Sequence, residues 1–299
     1  MYHVPVMLKE TVDALQIKPD GVYVDVTFGG GGHSKKILEQ LNEKGSLIAF
    51  DQDADAAANL MDDERVLFVP ANYRHLQRFL RAYEIDQVDG ILADFGISSY
   101  QIDEGSRGFA IRFDAPLDMR MDKRQALTAL QVVNSYSEVQ LQDVFSKYGE
   151  IINSKTLAIR IAEARRLQPI KTTFELRDIA RQVAKGNEMS YLAQVFQAIR
   201  IEVNDELQAI REFLAQCALV LKPGARLVTL SYHSLEDRLV KDFTRNGNFT
   251  GEHQKDDFGN IYRPFKLITK KPQEASAEEI KINSRARSAK MRVAERNTD

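Results

Sequence analysis

The sequence predicts an α/β fold, a Rossmann-like parallel sheet with an inserted helical domain. Over residues 1–103, short apolar runs alternate with helical patterns, which is typical of parallel strands joined by helices. Residues 104–203 have helical periodicity and almost no strand pattern. A strand pattern returns at 226–231, within the last segment, 204–299. We therefore predict one discontinuous domain, 1–103 with 204–299, and a helical insertion over 104–203.

The elements follow one another in a regular order. The apolar runs predict strands at 22–26, 47–51, 66–69 and 88–94. Ser34 suits the N-cap of the first intervening helix, and the helical patterns between the strands cover 34–43, 53–61 and 74–83. Helical patterns in the insertion cover 126–134, 137–148, 154–167, 173–185 and 190–203. A helix over 205–221, stopped by Lys222-Pro223-Gly224, precedes the resumed strand.

The most informative segment is the glycine run after the first strand. The run Gly29–Gly32 follows a β-branched stretch that ends at Asp25, and a helix begins after it. Glycines let a backbone approach a ligand closely, and the start of a helix offers unpaired N–H donors. Asp51 ends the second strand, 19 residues past Gly32, where an acid can accept both hydroxyls of a ribose. The pattern predicts an adenosine-containing cofactor rather than a simple tight turn.

Two common nucleotide motifs are absent from this segment. The dinucleotide fingerprint G-x-G-x-x-G fails because Ser34 stands where the third glycine belongs, and the chain has no G-x-x-x-x-G-K-[ST]. An acid followed by a glycine cluster is the pattern seen where S-adenosylmethionine binds. Asp25 suits the cationic end of that ligand, and the loop N–H groups suit its carboxylate. We therefore predict S-adenosylmethionine as the cofactor.

A third acid, Asp94, ends the fourth predicted strand. Open α/β sheets bind ligands at the carboxyl ends of their strands. We therefore expect Asp25, Asp51 and Asp94 to line one crevice.

Composition excludes several classes of protein. Cys217 is the only cysteine, so neither a disulfide framework nor a cysteine metal site can form, and a reducing cytoplasm is the expected setting. The histidines lack metal-ligand spacing, so no metal is expected. No apolar run approaches the length of a membrane span, and no membrane partner is expected. The net charge is −2, but six of the residues in 281–296 are Lys or Arg against one acid. That segment either neutralises phosphates or is a solvated terminus.

Several blocks, in order along the whole chain, resemble one known family. These blocks are His3-Val4-Pro5-Val6, 27–34, 94–101, 107–109, 116–122, 196–200, 233–238 and 285–288. Together they resemble the bacterial small-subunit ribosomal RNA methyltransferase H family. The resemblance implies a class I S-adenosylmethionine-dependent methyltransferase that methylates N4 of a cytidine in the decoding region of 16S rRNA, in the small ribosomal subunit. It also permits a homodimer.

The resemblance also implies roles for individual residues. Gly31, Gly32 and His33 match the cofactor loop, Asp51 matches the ribose-binding acid, and Tyr73 matches a position beside the adenosine. Asp94 and Gln101 match the remaining cofactor contacts. The chain departs from the family at several places: the family often has Phe at 73 and 232, Leu at 95, and Pro or His at 100. The hydroxyl of Tyr73 is therefore not assigned a role.

Asp94 is our candidate catalytic residue. The exocyclic amine of cytosine is a poor nucleophile because its lone pair is spread into the ring, and an acceptor for its N–H would localise that pair. The alternative is that Asp94 only binds the cofactor. His33 is expected to contact the cofactor through its backbone rather than transfer a proton. The segment 233–237 either faces the target base or, as we favour, forms a helix cap with Ser234 as the cap and Asp237 completing the box.

The insertion is expected to recognise the substrate. The residues of 118–122 predict a packed loop with an internal Arg–Asp pair. The family resemblance implies that this loop lines the substrate pocket. Basic side chains that could face RNA are Arg160, Arg165, Arg166, Lys171, Arg177 and Arg181. Two other functions stay open: a methyltransferase of the same fold with another substrate, such as DNA cytosine or a small molecule, and a non-catalytic ribosome-assembly factor.

Overall fold

The computed structural model describes residues 5–252 and 263–298. His3 and Val4, from the first family block, lie outside the described residues. The chain forms two compact units. The first comprises Met1–Gly96 with Leu207–Asp299, and the second comprises Ile97–Glu206.

The first unit is built on a single mixed sheet. Its strands are β1 Val22–Asp25, β2 Ser46–Phe50, β3 Val66–Val69, β4 Val88–Asp94, β5 Leu221–Ser231, β6 Phe265–Leu267, β7 Gln273–Glu274 and β8 Lys290–Arg296. The order is β3-β2-β1-β4-β5-β8-β6, and β7 also pairs with β8. The five strands β1 to β5 run parallel, whereas β8 is antiparallel to its neighbours. The order reverses between β1 and β4, which is the switch point where such sheets bind ligands.

Helices cover the sheet. In the first unit they are α1 Leu8–Ala14, α2 Gly32–Leu38, α3 Leu76–Ala82, α10 Glu206–Val220, α11 Ser234–Asn246 and α12 Ala277–Ile282; the first residue of α10 is assigned to the second unit. The central strand β4 is buried along almost its whole length, as expected for a strand covered on both faces. The fold is therefore a Rossmann-like α/β fold, as predicted.

The second unit is helical. Its helices are α4 Ser99–Asp103, α5 Ala129–Ser135, α6 Glu138–Gly149, α7 Ser154–Leu167, α8 Thr173–Arg181 and α9 Glu188–Asn204. Thr128, Ser137 and Thr172 each begin a helix with a reciprocal capping box, which satisfies two backbone donors at once. The unit has its own apolar core, with Phe145, Leu157 and Leu192 fully buried.

Three local predictions were wrong. Ser34 is not an N-cap, because α2 begins at Gly32 with Gly31 as its N-cap. The segment predicted as a helix over 53–61 is a 3-10 helix over Ala54–Asn59. Lys222-Pro223-Gly224 lies within β5, in a bulge where the pairing with β4 shifts register between Val88 and Gly90. A bulge accommodates Pro and Gly inside a strand because its residues need not join the ladder.

The basic C-terminal segment is not a free tail. Residues 290–296 form β8, which pairs with β5 on one side and with β6 and β7 on the other. Met291 and Val293 are buried in the core, and the guanidinium of Arg292 binds both carboxylate oxygens of Asp237, at 2.6 and 2.9 Å.

Within residues 5–252 and 263–298, no helix combines the length and apolar character needed to cross a bilayer.

Candidate cofactor and catalytic site

The glycine loop after β1 is tied to the end of β2 by one carboxylate. Oδ2 of Asp51 accepts the N–H of Gly29 at 2.8 Å, and Oδ1 accepts the N–H of Asp53 at 2.8 Å. Each carboxylate oxygen has a second lone pair. Asp51 is half-buried and can therefore accept two further donors, as the two hydroxyls of a ribose would require.

The individual glycines of the loop have different roles. Gly31 has φ +73°, and a Cβ there would lie 3.0 Å from the ring of Phe28. A Cβ on Gly32 would lie 2.1 Å from Cγ of Pro5, so packing alone requires a glycine at this position. A Cβ on Gly30, in contrast, would meet no atom within 4 Å. The loop therefore borders open space at Gly30, where a ligand can approach its backbone.

Asp25 has a structural role that the sequence did not predict. Its carboxylate is 1% exposed. Oδ1 accepts the N–H of Thr27 at 3.1 Å, and Oδ2 accepts the hydroxyl of Ser34 at 2.7 Å. Asp25 therefore holds the loop to α2 from within. The prediction that it lines the crevice and faces the cationic end of a ligand was wrong, because its oxygens point into the protein.

Asp94 is held at the end of β4 by two hydrogen bonds, and His33 lies beside it. Its backbone N–H donates to Oγ1 of Thr27 at 2.7 Å. Its Oδ1 accepts the hydroxyl of Tyr232 at 2.6 Å, and its Oδ2 lies 3.8 Å from Nδ1 of His33. The side chain is 24% exposed. Asp94 is thus fixed in orientation and open to a ligand.

The ring of His33 is held by the chain rather than free to move. Its Nε2 lies 3.1 Å from the carbonyl oxygen of Val6, and the residue is only 6% exposed. A proton on Nε2 satisfies that carbonyl and leaves Nδ1 facing Asp94. This arrangement favours the expectation that His33 meets the cofactor through its backbone.

Burial raises the pKa of all three acids at this edge. It raises the pKa of Asp51 and of Asp94 to about 6, and it raises the pKa of Asp25 as well. The negative charge of Asp25 further raises the pKa of the other two. Buried carboxylates that repel one another are stabilised by a cation. S-adenosylmethionine carries a sulfonium and an ammonium group, so this cluster suits that cofactor.

The pKa of Asp94 leads to a prediction about pH. If Asp94 must be ionised to accept a proton, kcat/KM should fall about tenfold per pH unit below about pH 6, since kcat/KM reports the pKa values of the free enzyme. A free carboxyl would give this limb near pH 4. The measurement is methyl transfer at low substrate concentration over pH 4.5–8. A rate that stays flat down to pH 4.5 would contradict the prediction.

Tyr73 belongs to a group of three aromatic rings. It lies on a 3-10 helix, Tyr73–His75, that begins after the side-chain cap Asn72. Its ring packs edge-on against Phe95 and Phe213, with centroids 5.9 and 5.4 Å apart. Both phenylalanines are buried, so they fix the position of the Tyr73 ring. The half-buried ring can offer an apolar surface to an adenine.

Gln101 lies in the second unit. Its side chain completes a capping box with Ser98 at the start of α4, in which Oε1 accepts the N–H of Ser98 at 3.1 Å. The residue is 5% exposed. Its cofactor contact stays a prediction from the family resemblance.

The segment after β5 caps a helix, but with different residues from those predicted. The N-cap of α11 is His233 rather than Ser234, and Glu236 rather than Asp237 completes the box. Glu236 is fully buried, and its Oε2 accepts the N–H of Tyr232 at 2.8 Å. This contact holds the backbone of Tyr232, whose hydroxyl reaches Asp94.

The second unit contains the packed loop that the sequence predicts. The guanidinium of Arg120 binds both oxygens of Asp118, at 2.8 and 2.9 Å, and Met119 is fully buried. Of the basic side chains proposed to face RNA, Arg165 instead donates to the carbonyl oxygens of Val133 and Tyr136. Its guanidinium therefore closes the end of α5.

Comparisons with known proteins give the family of this chain. The family model described as "MraW methylase family" matches residues 1–297. The chain belongs to this family. Proteins named "Ribosomal RNA small subunit methyltransferase H" are similar over nearly their whole length. That of Flavobacterium johnsoniae is 55% identical, covering 99% of this chain and 98% of the relative. That of Bacteroides thetaiotaomicron is 51% identical, covering 99% and 97%.

Sequence reasoning missed two residues of this candidate site. The hydroxyl of Tyr232 fixes Asp94, and the hydroxyl of Thr27 binds the Asp94 backbone. Thr27 lies two residues after Asp25, so its place beside the loop could have been found from the sequence. Tyr232 could not, because its contact with Asp94 spans 138 residues.

Proposed function

We propose that this member of the MraW methylase family transfers a methyl group from S-adenosylmethionine to N4 of a cytidine in the decoding region of 16S rRNA, within the small ribosomal subunit. The observation that carries the proposal is the position of Asp94. Its carboxylate ends β4 at the switch point of the sheet, next to the glycine loop, with one oxygen fixed by Tyr232 at 2.6 Å. The full-length relatives are named as methyltransferases of small-subunit ribosomal RNA, which supports the proposed substrate.

Different residues of the first unit would bind different parts of S-adenosylmethionine. Asp51 would accept the ribose hydroxyls, the loop around Gly30 to Gly32 would lie against the ligand, and the Tyr73 ring would flank the adenine. When bound, S-adenosylmethionine supplies an electrophilic methyl group on a positively charged sulfur. Gln101 would complete the set, on the strength of the family resemblance alone.

Asp94 would act on the incoming amine. Because Tyr232 donates to Oδ1, the Oδ2 atom is left to accept an N–H from N4 of the cytosine. That hydrogen bond localises the lone pair of the amine and aligns it, and alignment is the main requirement of an in-line displacement. After transfer, the carboxylate can accept the surplus proton. Burial and the nearby Asp94 carboxylate raise the pKa of Tyr232, so its hydroxyl keeps its proton and stays a donor.

The second unit, 97–206, would recognise the RNA. It begins three residues after Asp94 in the chain. Bases of RNA must be splayed out to reach an enzyme pocket, which requires contacts beyond the sheet edge. The proposed substrate places the activity in the cytoplasm, where ribosomes are assembled.

The homodimer that the family resemblance permits is a separate part of this proposal. Light scattering of the purified protein tests it, since one chain has a mass of 34.0 kDa. A solution mass of one chain at micromolar concentration would count against the dimer.

The experiment that tests the function uses labelled S-adenosylmethionine and small subunits from cells lacking this protein. We expect N4-methylcytidine at one site, identified by mass spectrometry of the nucleosides. Transfer to a different nucleoside or to DNA would show another substrate. Cofactor binding without transfer to any of these would favour an assembly factor.

Replacing Tyr232 with phenylalanine tests the proposed orientation of Asp94. The Tyr232 hydrogen bond lowers the pKa of Asp94, so its loss should raise that pKa. A hydrogen bond to a charged group is worth about 1.5–3 kcal/mol, so the acid limb of kcat/KM should move up by about one to two pH units. Tyr83→Phe, at an exposed position, is the control and should leave the limb in place. An unchanged limb in Tyr232→Phe would show that the hydroxyl does not hold Asp94 in solution.

A further inference from the structure

A cavity of about 240 Å³ lies on the face of the sheet that α11 covers. Strands β5, β6 and β8 and helix α11 supply its lining, all within the first unit. Leu227, Val240 and Ala294 give it apolar walls. The size is close to the lower end of the range for small-molecule sites.

The floor of this cavity contains a hydroxyl with no partner. Thr229 is 1% exposed, and among the residues that the structure describes its Oγ1 has no hydrogen-bond partner. Thr244, which also lines the cavity, donates its hydroxyl to the carbonyl oxygen of Val240 at 2.7 Å. Buried polar groups are almost always paired, because an unpaired one costs free energy. The Thr229 hydroxyl is therefore a group in this lining whose hydrogen-bonding capacity a ligand could satisfy.

The rim of the cavity is cationic. Lys241, Arg245 and Lys270 line it and are exposed. Within residues 5–252 and 263–298, Arg245 and Lys270 make no ion pair, and Lys241 has only Asp242 at 3.6 Å. The charge of Arg292 at the wall is already balanced by Asp237. In the part of the chain that the structure describes, the rim thus has spare positive charge, which attracts an anionic group.

The cavity begins at Thr229, which pairs with Ala93 of β4, and extends along α11 away from Asp94. Helix α11 begins at Ser234, directly after the carboxyl end of β5, and runs back along the sheet. Thr244 lies ten residues further on, which is about 15 Å along the helix at 1.5 Å per residue.

We propose that this cavity binds one nucleotide of single-stranded RNA, with its phosphate at Arg245 and Lys270 and its base or ribose against the apolar walls, hydrogen-bonded to Thr229. The proposal rests on the proposed function, because that function supplies the RNA. Phosphate contacts position a nucleic acid without reading its sequence. The cavity would therefore hold a nucleotide other than the target cytidine and affect substrate affinity rather than the methyl-transfer step.

The first test titrates the full chain with cytidine 5′-monophosphate, cytidine and inorganic phosphate by calorimetry. We expect the monophosphate to bind more tightly than either part alone. The double variant Arg245→Ala/Lys270→Ala should weaken its binding at least tenfold, whereas the control Lys9→Ala/Lys44→Ala, two exposed lysines elsewhere, should not. Equal affinity of the double variant and the parent would overturn the proposal, as would binding of inorganic phosphate that is as tight as that of the nucleotide.

Thr229→Val separates binding from folding. Removing an unpaired buried hydroxyl should not lower the melting temperature, but it should weaken nucleotide binding about threefold to tenfold. Thr156→Val, at an exposed position of α7 outside the cavity, is the control, and we expect its nucleotide affinity to match the parent. A Thr229→Val variant that binds the nucleotide like the parent would remove Thr229 from the site.

The second test asks whether the occupant is RNA. In methyl transfer to small subunits, the double variant should raise KM with kcat and cofactor affinity unchanged. Loss of two phosphate contacts should also reduce the slope of log affinity for single-stranded RNA against log salt by about one unit. An unchanged KM and slope would overturn the RNA assignment. A parent that methylates no subunits would overturn the proposed function instead, and the nucleotide titration would still decide whether the cavity binds its ligand.

Discussion

Replacing Asp94 with alanine is expected to abolish methyl transfer while S-adenosylmethionine still binds within tenfold of its parent affinity. A positioned acid or base contributes about 10²- to 10⁴-fold to a rate, and we expect kcat to fall by that much. Asp94→Asn should lose as much activity, because an amide can accept the Tyr232 hydroxyl but cannot take a proton from the amine. Cofactor affinity is measured by calorimetry, and the rate is measured with saturating subunits.

The outcome distinguishes the two roles that remain open for Asp94. If the carboxylate only binds the cofactor, the alanine variant will lose its binding isotherm, and its rate will recover at high cofactor concentration. If Asp94 accepts the proton, binding will remain and no concentration will restore the rate. Asp63→Ala removes a half-buried carboxylate paired with Arg65 outside the site and should leave both quantities at the parent level.

The Asp94→Asn variant also has an expected effect on the free energy of unfolding. Burial raises the pKa of Asp94 to about 6, so the folded protein holds a proton there more tightly than the unfolded chain does. Stability should therefore fall as pH rises from about 4 to 6, because the charged form is buried. Asp94→Asn should be more stable than the parent at pH 7.5, by roughly 1–3 kcal/mol. This gain should vanish by pH 4, where both side chains are neutral, and urea unfolding at the two pH values checks it.

The parts of this protein that sequence could predict are those set by local patterns. The apolar runs that end in Asp51 and Asp94 predict their strands to within a residue. Because the carboxyl ends of parallel strands meet at one edge, their convergence also follows. The helical insertion follows from periodicity, since α6 to α9 repeat apolar residues at helical spacing.

The parts that sequence could not predict depend on contacts between distant segments. Tyr232 reaches Asp94 only because β5 pairs with β4, which sets Leu230 opposite Asp94. Ser34 is of a residue type that often caps helices, but α2 begins two residues earlier, at Gly32. The hydroxyl of Ser34 donates a hydrogen bond to Asp25 instead. The many lysines and arginines of 281–296 suggested a phosphate-binding segment or a solvated terminus rather than a strand. Part of this segment nevertheless forms β8, in which Met291 and Val293 are buried. The number of charged residues in a segment does not show whether its backbone pairs with other strands, and that pairing decides whether the segment joins a sheet.

Asp51→Ala is expected to weaken binding of S-adenosylmethionine about 100-fold or more. A hydrogen bond to a charged group is worth about 1.5–3 kcal/mol, and the variant would lose two such bonds to the ribose. It would also free the N–H groups of Gly29 and Asp53, which Asp51 holds at 2.8 Å. Asp51→Asn keeps one acceptor oxygen and should fall between the parent and the alanine variant. Calorimetric titration of each protein measures the effect.

A cofactor analogue that lacks one ribose hydroxyl separates the ribose contact from the loop contact. The analogue should bind the parent about tenfold more weakly than S-adenosylmethionine does, because one charged hydrogen bond is lost. Asp51→Ala should bind both ligands equally, since the partner of the missing hydroxyl is already gone, and this non-additivity measures the contact directly. If the analogue is disfavoured equally by parent and variant, the ribose binds elsewhere and Asp51 acts only by holding the loop. The double comparison therefore assigns the ribose contact even though the same carboxylate also shapes the loop.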